Sequence, residues 1–406
     1  MLTEQQLTDF NQSLSKAKSF DDLMGKNGVI KQIMKQALES MLEAEISEHL
    51  GYEKHSVKGN NTGNSRNGLT KKTVNYSEGA VTLDIPRDRN SDFTPVIIPK
   101  HCKSIGNIED KIISMYAKGM TTRDIQSHIE EIYGIQVSPT SISNITDSII
   151  EDIRQWQSRP LKDVYPIVFL DAIYYKIRQD GKVVSKAAYT ALAIDVHGYK
   201  EMLGIWVGDT ESARYWLNVL NDIKSRGVKD VFIACVDGLT GFQEAIETVF
   251  PKAIVQGCIV HQIRNSIKYV ASKDQKQLIN DMKPLYNSDN EQQALEHFHA
   301  FQEKWQKYPI VINSWKNNWT KLTNMYLFPP EIRKIIYTTN AVEGLHRQFR
   351  KVIKSKSQFP NDLAAIKMIF LAHRDIAKKW TMPIPNWALL LSQFSIIFDI
   401  RFSAFL

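Results

Sequence analysis

The chain has 406 residues, 43% of them hydrophobic and 23% charged, which suits two to four packed soluble units rather than one. Lys and Arg number 51 against 44 Asp and Glu, and the net charge of +7 permits a nucleic acid or an acidic membrane surface as partner without choosing between them. Three scattered cysteines, Cys102, Cys235 and Cys258, exclude a disulfide framework and fit a reducing compartment.

The N-terminus lacks the basic and apolar regions of a signal peptide. Ile30–Leu50 reads as an amphipathic helix with Met34, Leu38, Leu42, Ile46 and Leu50 near one face and Gly51 as its stop; it suits packing in its own domain or on a second copy. The stretch from His55 to Lys103 is rich in Gly, Asn and Lys. It reads as half-ordered, with a short strand at Ala80–Ile85, and Arg87 and Arg89 are candidates to follow a phosphate backbone. Residues 1–104 form a helical and basic region for DNA binding or dimerisation.

Three short helices are expected across 105–160. Ile108, Ile112, Met115 and Tyr116 line the first, which Gly119 closes. Thr121 and Asp124 form a reciprocal cap for the second, whose stripe is Ile125, Ile129 and Ile132 and whose end is Gly134. Ser138 and Pro139 open the third as N-cap and first helical residue. This helix buries Ile142, Ile145 and Ile149 and presents Thr140, Ser141, Ser143 and Asn144. Such a trio suits a helix-turn-helix with Ser141 and Asn144 toward DNA, or a plain three-helix bundle.

From Pro166 the period becomes that of strands. Ile167–Leu170 runs into Asp171, Ala187–Val196 turns at His197 and Gly198, and Lys200–Val207 returns. A helix over Glu211–Ile223, a strand over Val231–Val236 ending at Asp237, a helix over Phe242–Val249, a strand at Ala253–Gln256 and a helix over Val260–Val270 complete the order βββαβαβα. That order predicts an α/β RNase H-like core, a mixed sheet with helices on both faces, its first part spanning 161–270. An all-α insertion at 271–331 follows, with Trp305, Trp315 and Trp319. The core resumes over 332–382, and a packed tail closes the chain at 383–406. The tail is its most apolar stretch, but Gln393, Asp399 and Arg401 exclude a membrane span.

The candidate chemistry lies in three acids. Asp171 and Asp237 are read at the ends of the first and fourth strands, which are neighbours in such a sheet. Carboxylates at close range repel, and a hard divalent cation relieves them. Two Mg²⁺ or Mn²⁺ ions would serve an in-line phosphoryl displacement. Each aspartate taken alone also fits a plain strand end or Asp-Gly turn. The third acid is Glu343, on a helix over Asn340–Lys354. Asn340 and Glu343 fit a capping box, yet Glu343 also heads a face with Arg347, Arg350, Lys351 and Lys354, opposite the stripe of Val342, Leu345, Phe349, Val352 and Ile353. The window from 331 to 380 holds eleven Lys or Arg against four acids, an excess equal to that of the whole chain. Such a face suits a DNA backbone.

Several short motifs stand in a telling order: Met41-Leu42-Glu43-Ala44-Glu45 with His49-Leu50-Gly51-Tyr52, Arg66-Asn67-Gly68, Pro86-Arg87-Asp88-Arg89, Tyr175-Lys176-Ile177-Arg178, Val236-Asp237-Gly238-Leu239, Cys258-Ile259-Val260-His261, and Tyr337-Thr338-Thr339-Asn340-Ala341-Val342-Glu343 followed by Arg347-Gln348-Phe349-Arg350-Lys351. Together they resemble the mutator-type transposases of bacterial insertion sequences over nearly the whole chain. The resemblance implies an RNase H-like core with Asp171, Asp237 and Glu343 as catalytic, metal-binding triad, and a helical insertion between the second and third acids. The intervals of 66 and 106 residues agree with it. Ala172 departs from the glycine usual after the first aspartate, a small change.

The activity implied is metal-dependent cleavage at the 3′ ends of the element and strand transfer to target DNA. It further implies double-stranded DNA as partner, a homodimer or higher oligomer holding two ends, and a cytoplasmic, nucleoid-associated protein. The alternatives are an inactive DNA-binding regulator on the same scaffold and another RNase H-like nuclease. Cys258 and His261 fall short of a zinc site and read as structural or DNA-facing residues near the centre. Trp315 and Trp319, one turn apart, read as helix core or as a platform for an unpaired base.

Overall fold

The computed structural model describes residues 28–403 apart from 60–61, 77–78, 99–107, 134–135, 210–211 and 338–339, together with a few positions between 14 and 23. Cys102, Gly134, Glu211 and the side chain of Asn340 therefore lie outside the described residues. The chain divides into two compact units, 1–147 and 148–406.

In the first unit helix α1 (Val29–Leu50) ends at Gly51, whose left-handed backbone (φ 79°) lets its N–H return to the carbonyls of Ser47 and Glu48. Its Leu38 and Leu42 pack with Val74, Val81 and Leu83 on a hairpin of β1 (Arg66–Tyr76) and β2 (Gly79–Asp88), and with Ile98 beyond it. The half-ordered reading of this region is corrected. Two long strands pair in register from Leu69–Pro86 to Tyr76–Gly79, where one short strand was expected. On β1 Lys71 and Thr73 are exposed, and the face of Val74, the buried anchor, also carries half-buried Lys72, so the composition hid the alternation. Asp88 is buried and accepts from Asn64 Nδ2 (2.7 Å) and from the backbone N–H groups of Asp92 and Phe93, while Arg87 and Arg89 on either side are exposed. Burial alone would raise the Asp88 pKa, but those donors outweigh it and hold the carboxyl below its ordinary value.

Helices α2 (Ile108–Ala117), α3 (Thr122–Tyr133) and α4 (Pro139–Asp147) pack against one another. The Thr121–Asp124 box is present in both directions, at 3.0 and 3.1 Å. Ser138 Oγ caps α4 by accepting from Ser141 N at 3.1 Å. Ile132, expected in the stripe of α3, is exposed instead.

The second unit opens with α5 (Ile150–Ser158) and is built on a five-stranded sheet: β3 (Val164–Gln179), β4 (Lys182–Ile194), β5 (Lys200–Gly208), β6 (Asp230–Val236) and β7 (Ile254–Gly257), in the order β5-β4-β3-β6-β7. The first three strands form an antiparallel meander, and β6 and β7 run parallel to β3. Two crossovers make this arrangement, through α6 (Ala213–Ser225) and α7 (Phe242–Val249). Trp216, Val219, Leu220 and Ile223 of α6 and Phe242, Ile246 and Val249 of α7 bury one face with Val168, Leu170, Tyr189 and Ala191 of the sheet.

Helix α8 (Ile259–Ile267) follows β7. Then come α9 (Ser272–Met282), α10 (Pro284–Asn287), α11 (Glu291–Lys304), α12 (Pro309–Thr323), a 3₁₀ turn at Asn324–Leu327 and α13 (Pro330–Ile336). The last three helices are α14 (Asn340–Ile353), α15 (Asp362–Ala377) and α16 (Trp387–Ser403). The apolar tail is a packed element: Phe398 of α16 stacks on Phe232 of β6 at 4.5 Å, and Arg401 pairs with Asp230 at 2.8 Å. Gly198 lies so close to Trp387 that a Cβ there would stand 2.4 Å from the indole. Among the described residues no helix is long and apolar enough to cross a membrane.

Candidate active site

The parallel pairing of β3 with β6 ends at Leu170 and Val236, so Asp171 and Asp237 follow at equivalent positions on neighbouring strands. Asp237 leaves its strand there, but Asp171 does not. It lies in the middle of a 16-residue strand, which corrects the strand-end reading. The apolar run stops at Asp171 because the strand changes character, not because it ends. Beyond it Ile173, Tyr175 and Ile177 are buried while Tyr174, Lys176 and Arg178 are exposed, and the pairing with β4 runs on to Gln179–Lys182. The turn is made by Asp180 and Gly181, both with positive φ (50° and 76°).

Asp171 is 7% exposed. Its Oδ1 accepts from Ala172 N at 2.8 Å, and its Oδ2 lies 3.3 Å from Nδ1 of His346. Burial alone would push its pKa up. His346, the charge of His261 and the Ala172 N–H together outweigh that and hold the carboxyl below its ordinary range. Asp237 is half-buried, with Oδ1 accepting from Leu239 N at 3.2 Å.

The start of α8 is fixed beside these aspartates by two backbone bonds. Cys258 N donates to Val236 O at 2.8 Å, and Ile259 N donates to Tyr337 O at 3.1 Å, which ties α8 to the approach to α14. Cys258 is buried and His261 half-buried. The Cys258 side chain, first, and then the charges of Cys258, Asp171 and Asp237 push the His261 pKa up to about 9 against the opposing effect of burial. His261 Nε2 also lies 3.8 Å from Glu343 Oε1, so this imidazole sits among all three acids. Arg264, three residues on, takes both oxygens of Glu343 at 2.8 and 3.1 Å. The carboxylate is thus engaged by another helix.

Asp171 and Asp237 offer hard oxygen donors from adjacent strands, the donor type that a divalent ion such as Mg²⁺ or Mn²⁺ prefers. Glu343 is directed to Arg264, and among the described residues no three or more His, Cys, Asp or Glu side chains are spaced to hold a metal.

The remaining candidates divide by exposure. Arg347, Arg350 and Lys351 on α14 and Lys354 in the turn just after it are all exposed. Asn144 is exposed on α4; Ser141 is half-buried, its hydroxyl 3.0 Å from that of Ser138. Trp315 is 1% exposed and donates its indole N–H to Ser266 at 3.0 Å, while Trp319 is half-buried and stacks on Phe298 at 4.8 Å. Both rings are engaged within the helical segment.

Sequence reasoning missed Arg264, His346 and Lys321. His346 had a signal: with Val342, Leu345, Phe349 and Ile353 it falls on the buried stripe of α14, where an imidazole is out of place. Arg264 had none, because its partner is 79 residues away. Lys321 of α12 lies within electrostatic range of Asp237, which works against the lowering of its pKa by burial. It crosses the end of β7 at Gly257, where a Cβ would stand 3.4 Å from Lys321 Cγ and 3.2 Å from Leu322 Cδ2.

The sequence is similar to those of known proteins. The family described as "Transposase, Mutator family" matches residues 3–383. A probable transposase for an ISRM3-like insertion sequence element of Sinorhizobium fredii is 43% identical over 404 residues, 99% of this chain and 100% of its own. The transposase of ISRM3 from Rhizobium meliloti has the same identity and coverage, and that of IS1201 from Lactobacillus helveticus is 33% identical over 88% of this chain and 96% of its own. Among solved structures, a Drosophila P element transposase strand transfer complex aligns over 73% of this chain and 86% of its own at 11% identity, with a TM-score of 0.29, too low to bear on the fold. The match along nearly the whole chain, with its acids and basic helix inside it, means that this chain belongs to the Mutator family of insertion-sequence transposases.

Proposed function

We propose that this transposase cleaves the 3′ ends of its element and joins them to target DNA through Asp171, Asp237 and Glu343, on an RNase H-like core. The observation that carries the reading is the register of β3 and β6, which sets two carboxylates side by side where the parallel pairing stops. The strand order, an antiparallel meander extended by two parallel strands, supports the fold reading. Two ions, Mg²⁺ or Mn²⁺, supply activation of the attacking oxygen and stabilisation of the leaving one when bound.

The chain's own residues do the rest. Asp171 and Asp237 hold the site from the sheet. Glu343 completes it from α14 once it leaves Arg264, and the freed guanidinium then faces the phosphates that enter. Arg347, Arg350 and Lys351 on the exposed face of the same helix, with Lys354 just past its end, hold the DNA backbone. Arg87, Arg89 and the exposed side of α4, with Asn144 and Ser141, add contacts to the element end. A homodimer or higher oligomer brings two ends together.

The test is strand transfer of a labelled element end with Mg²⁺ or Mn²⁺, using the wild type, Asp171→Asn, Asp237→Asn and Glu343→Gln. Each variant is expected to lose about a hundredfold or more, the scale of removing one principal stabiliser of a transition state. Variants that join DNA as well as the wild type while binding it equally would refute the triad.

A further inference from the structure

The buried stripe of α14 contains one polar ring. His346 is fully buried, as is Thr190 on β4, the residue paired with Asp171 across the strands. Burial of an imidazole is unfavourable unless its nitrogens find partners. Here Nε2 stands 2.6 Å from Thr190 Oγ1, while Nδ1 has no aligned hydrogen-bond partner and stands 3.3 Å from Asp171 Oδ2, at ion-pair distance from that carboxylate. Thr190 Oγ1 in turn donates to the backbone carbonyl of Asp171 at 3.0 Å. The three residues close a loop from strand to strand to helix and back. His346 lies one turn after Glu343 on α14, so the ring also seats the helix carrying the third acid against the strand carrying the first.

We infer that His346 is a positioning residue for the reaction: held by Thr190 at one nitrogen, it uses the other to set the direction of the Asp171 carboxylate and, through α14, the place of Glu343. Partners one layer behind a metal-binding carboxylate govern its orientation, and their loss costs 10–100-fold in metal affinity or activity. An inert apolar contact would need no nitrogen at either place. The inference rests on the reading of Asp171 as a metal-binding carboxylate.

Two conservative substitutions separate the nitrogens. An asparagine amide reaches as far as Nδ1 and keeps a polar N–H group facing Asp171. A glutamine amide reaches as far as Nε2 and leaves Asp171 without one. The full chain would be titrated with Mn²⁺, following free Mn²⁺ by electron paramagnetic resonance, beside thermal unfolding without metal and strand transfer against Mg²⁺ concentration. With both proteins folded, His346→Gln is expected to weaken Mn²⁺ binding by about 10–100-fold and to raise the Mg²⁺ requirement by a similar factor. His346→Asn is expected to recover most of that loss.

Equal Mn²⁺ binding by the wild type and both variants overturns the inference, and so does equal loss in the two folded variants. If the glutamine variant does not fold, Thr190→Val, which frees Nε2 and leaves the ring in place, must show the same shift in metal requirement or the inference falls. Asp171→Asn distinguishes the two failures. Should it bind metal and join DNA normally, the triad reading fails. Should it be inactive while the His346 variants behave as wild type, the positioning role alone fails.

Discussion

Arg264 grips both carboxylate oxygens of Glu343, at 2.8 and 3.1 Å, across an interval of 79 residues. The guanidinium is about half exposed, whereas Glu343 is largely covered. A bidentate pair of this kind is specific in geometry, but water at its open side limits its contribution to stability to roughly 1 kcal/mol or less. Under the proposed function it would hold Glu343 until an incoming phosphate or cation displaces it.

Arg264→Ala should leave thermal stability almost unchanged and increase the affinity for Mn²⁺ severalfold in the absence of DNA, because the competitor for Glu343 is gone. Calorimetric titration measures it. Unaltered Mn²⁺ affinity would show that Glu343 does not exchange between the arginine and a metal.

Arg347→Ala and Arg350→Ala should each weaken binding to duplex DNA and reduce the steepness of its salt dependence by about 0.9 in the logarithmic slope, the effect of one lost phosphate contact. Binding isotherms at several salt concentrations give the slope directly. A double variant with the wild-type slope would remove α14 from the DNA interface.

His373 is 7% exposed on α15, with Trp156 and Trp380 against its ring at 5.2 and 5.7 Å. Burial, and then the charge of Arg159, lowers its pKa from the ordinary 6.5 to about 4. As the pH falls below 6.5 the unfolded chain takes up this proton before the folded one. The stabilisation is therefore complete above 6.5 and is lost as the pH falls through 4, by roughly 3 kcal/mol in all. His373→Phe should flatten the fall in urea midpoint between pH 7 and pH 4.5 relative to the wild type. Parallel curves would mean that the imidazole is not held neutral.

Trp315 is fully buried on α12 and has its one polar atom satisfied by Ser266 of α8. Trp315→Ala should cost about 3–5 kcal/mol, as large-to-small changes at buried aromatics do. Trp319→Ala, at a half-buried ring, should cost less. Chemical denaturation distinguishes the two; equal, small losses would place Trp315 outside the core.

Helix ends were readable from sequence because they depend on neighbours within four residues. Thr121 and Asp124 cap each other, Ser138 caps α4, and Gly51 ends α1 through its left-handed backbone. The strand β1 was unreadable because lysines fall on both of its faces, Lys71 outward and Lys72 beside Val74, so the period of two was lost in a polar composition. For the same reason β3 was cut at Asp171. Its second half is buried on one face, and the alternation of Ile173, Tyr175 and Ile177 was weaker than the unbroken run before it.

By itself the sequence determined the family, the order of strands and helices from Pro166 to Val270, and the identity of the three acids as candidates, since each depends on residue type, spacing and local periodicity. Only the tertiary structure decided the register that sets Asp171 beside Asp237, the capture of Glu343 by Arg264, and the closure of Asp171, Thr190 and His346 into one loop. The reason is physical. Local pattern selects which face of an element is buried, but what a buried or half-buried polar group meets there is set by packing between segments far apart in the chain, where each donor must find the acceptor that folding brings to it.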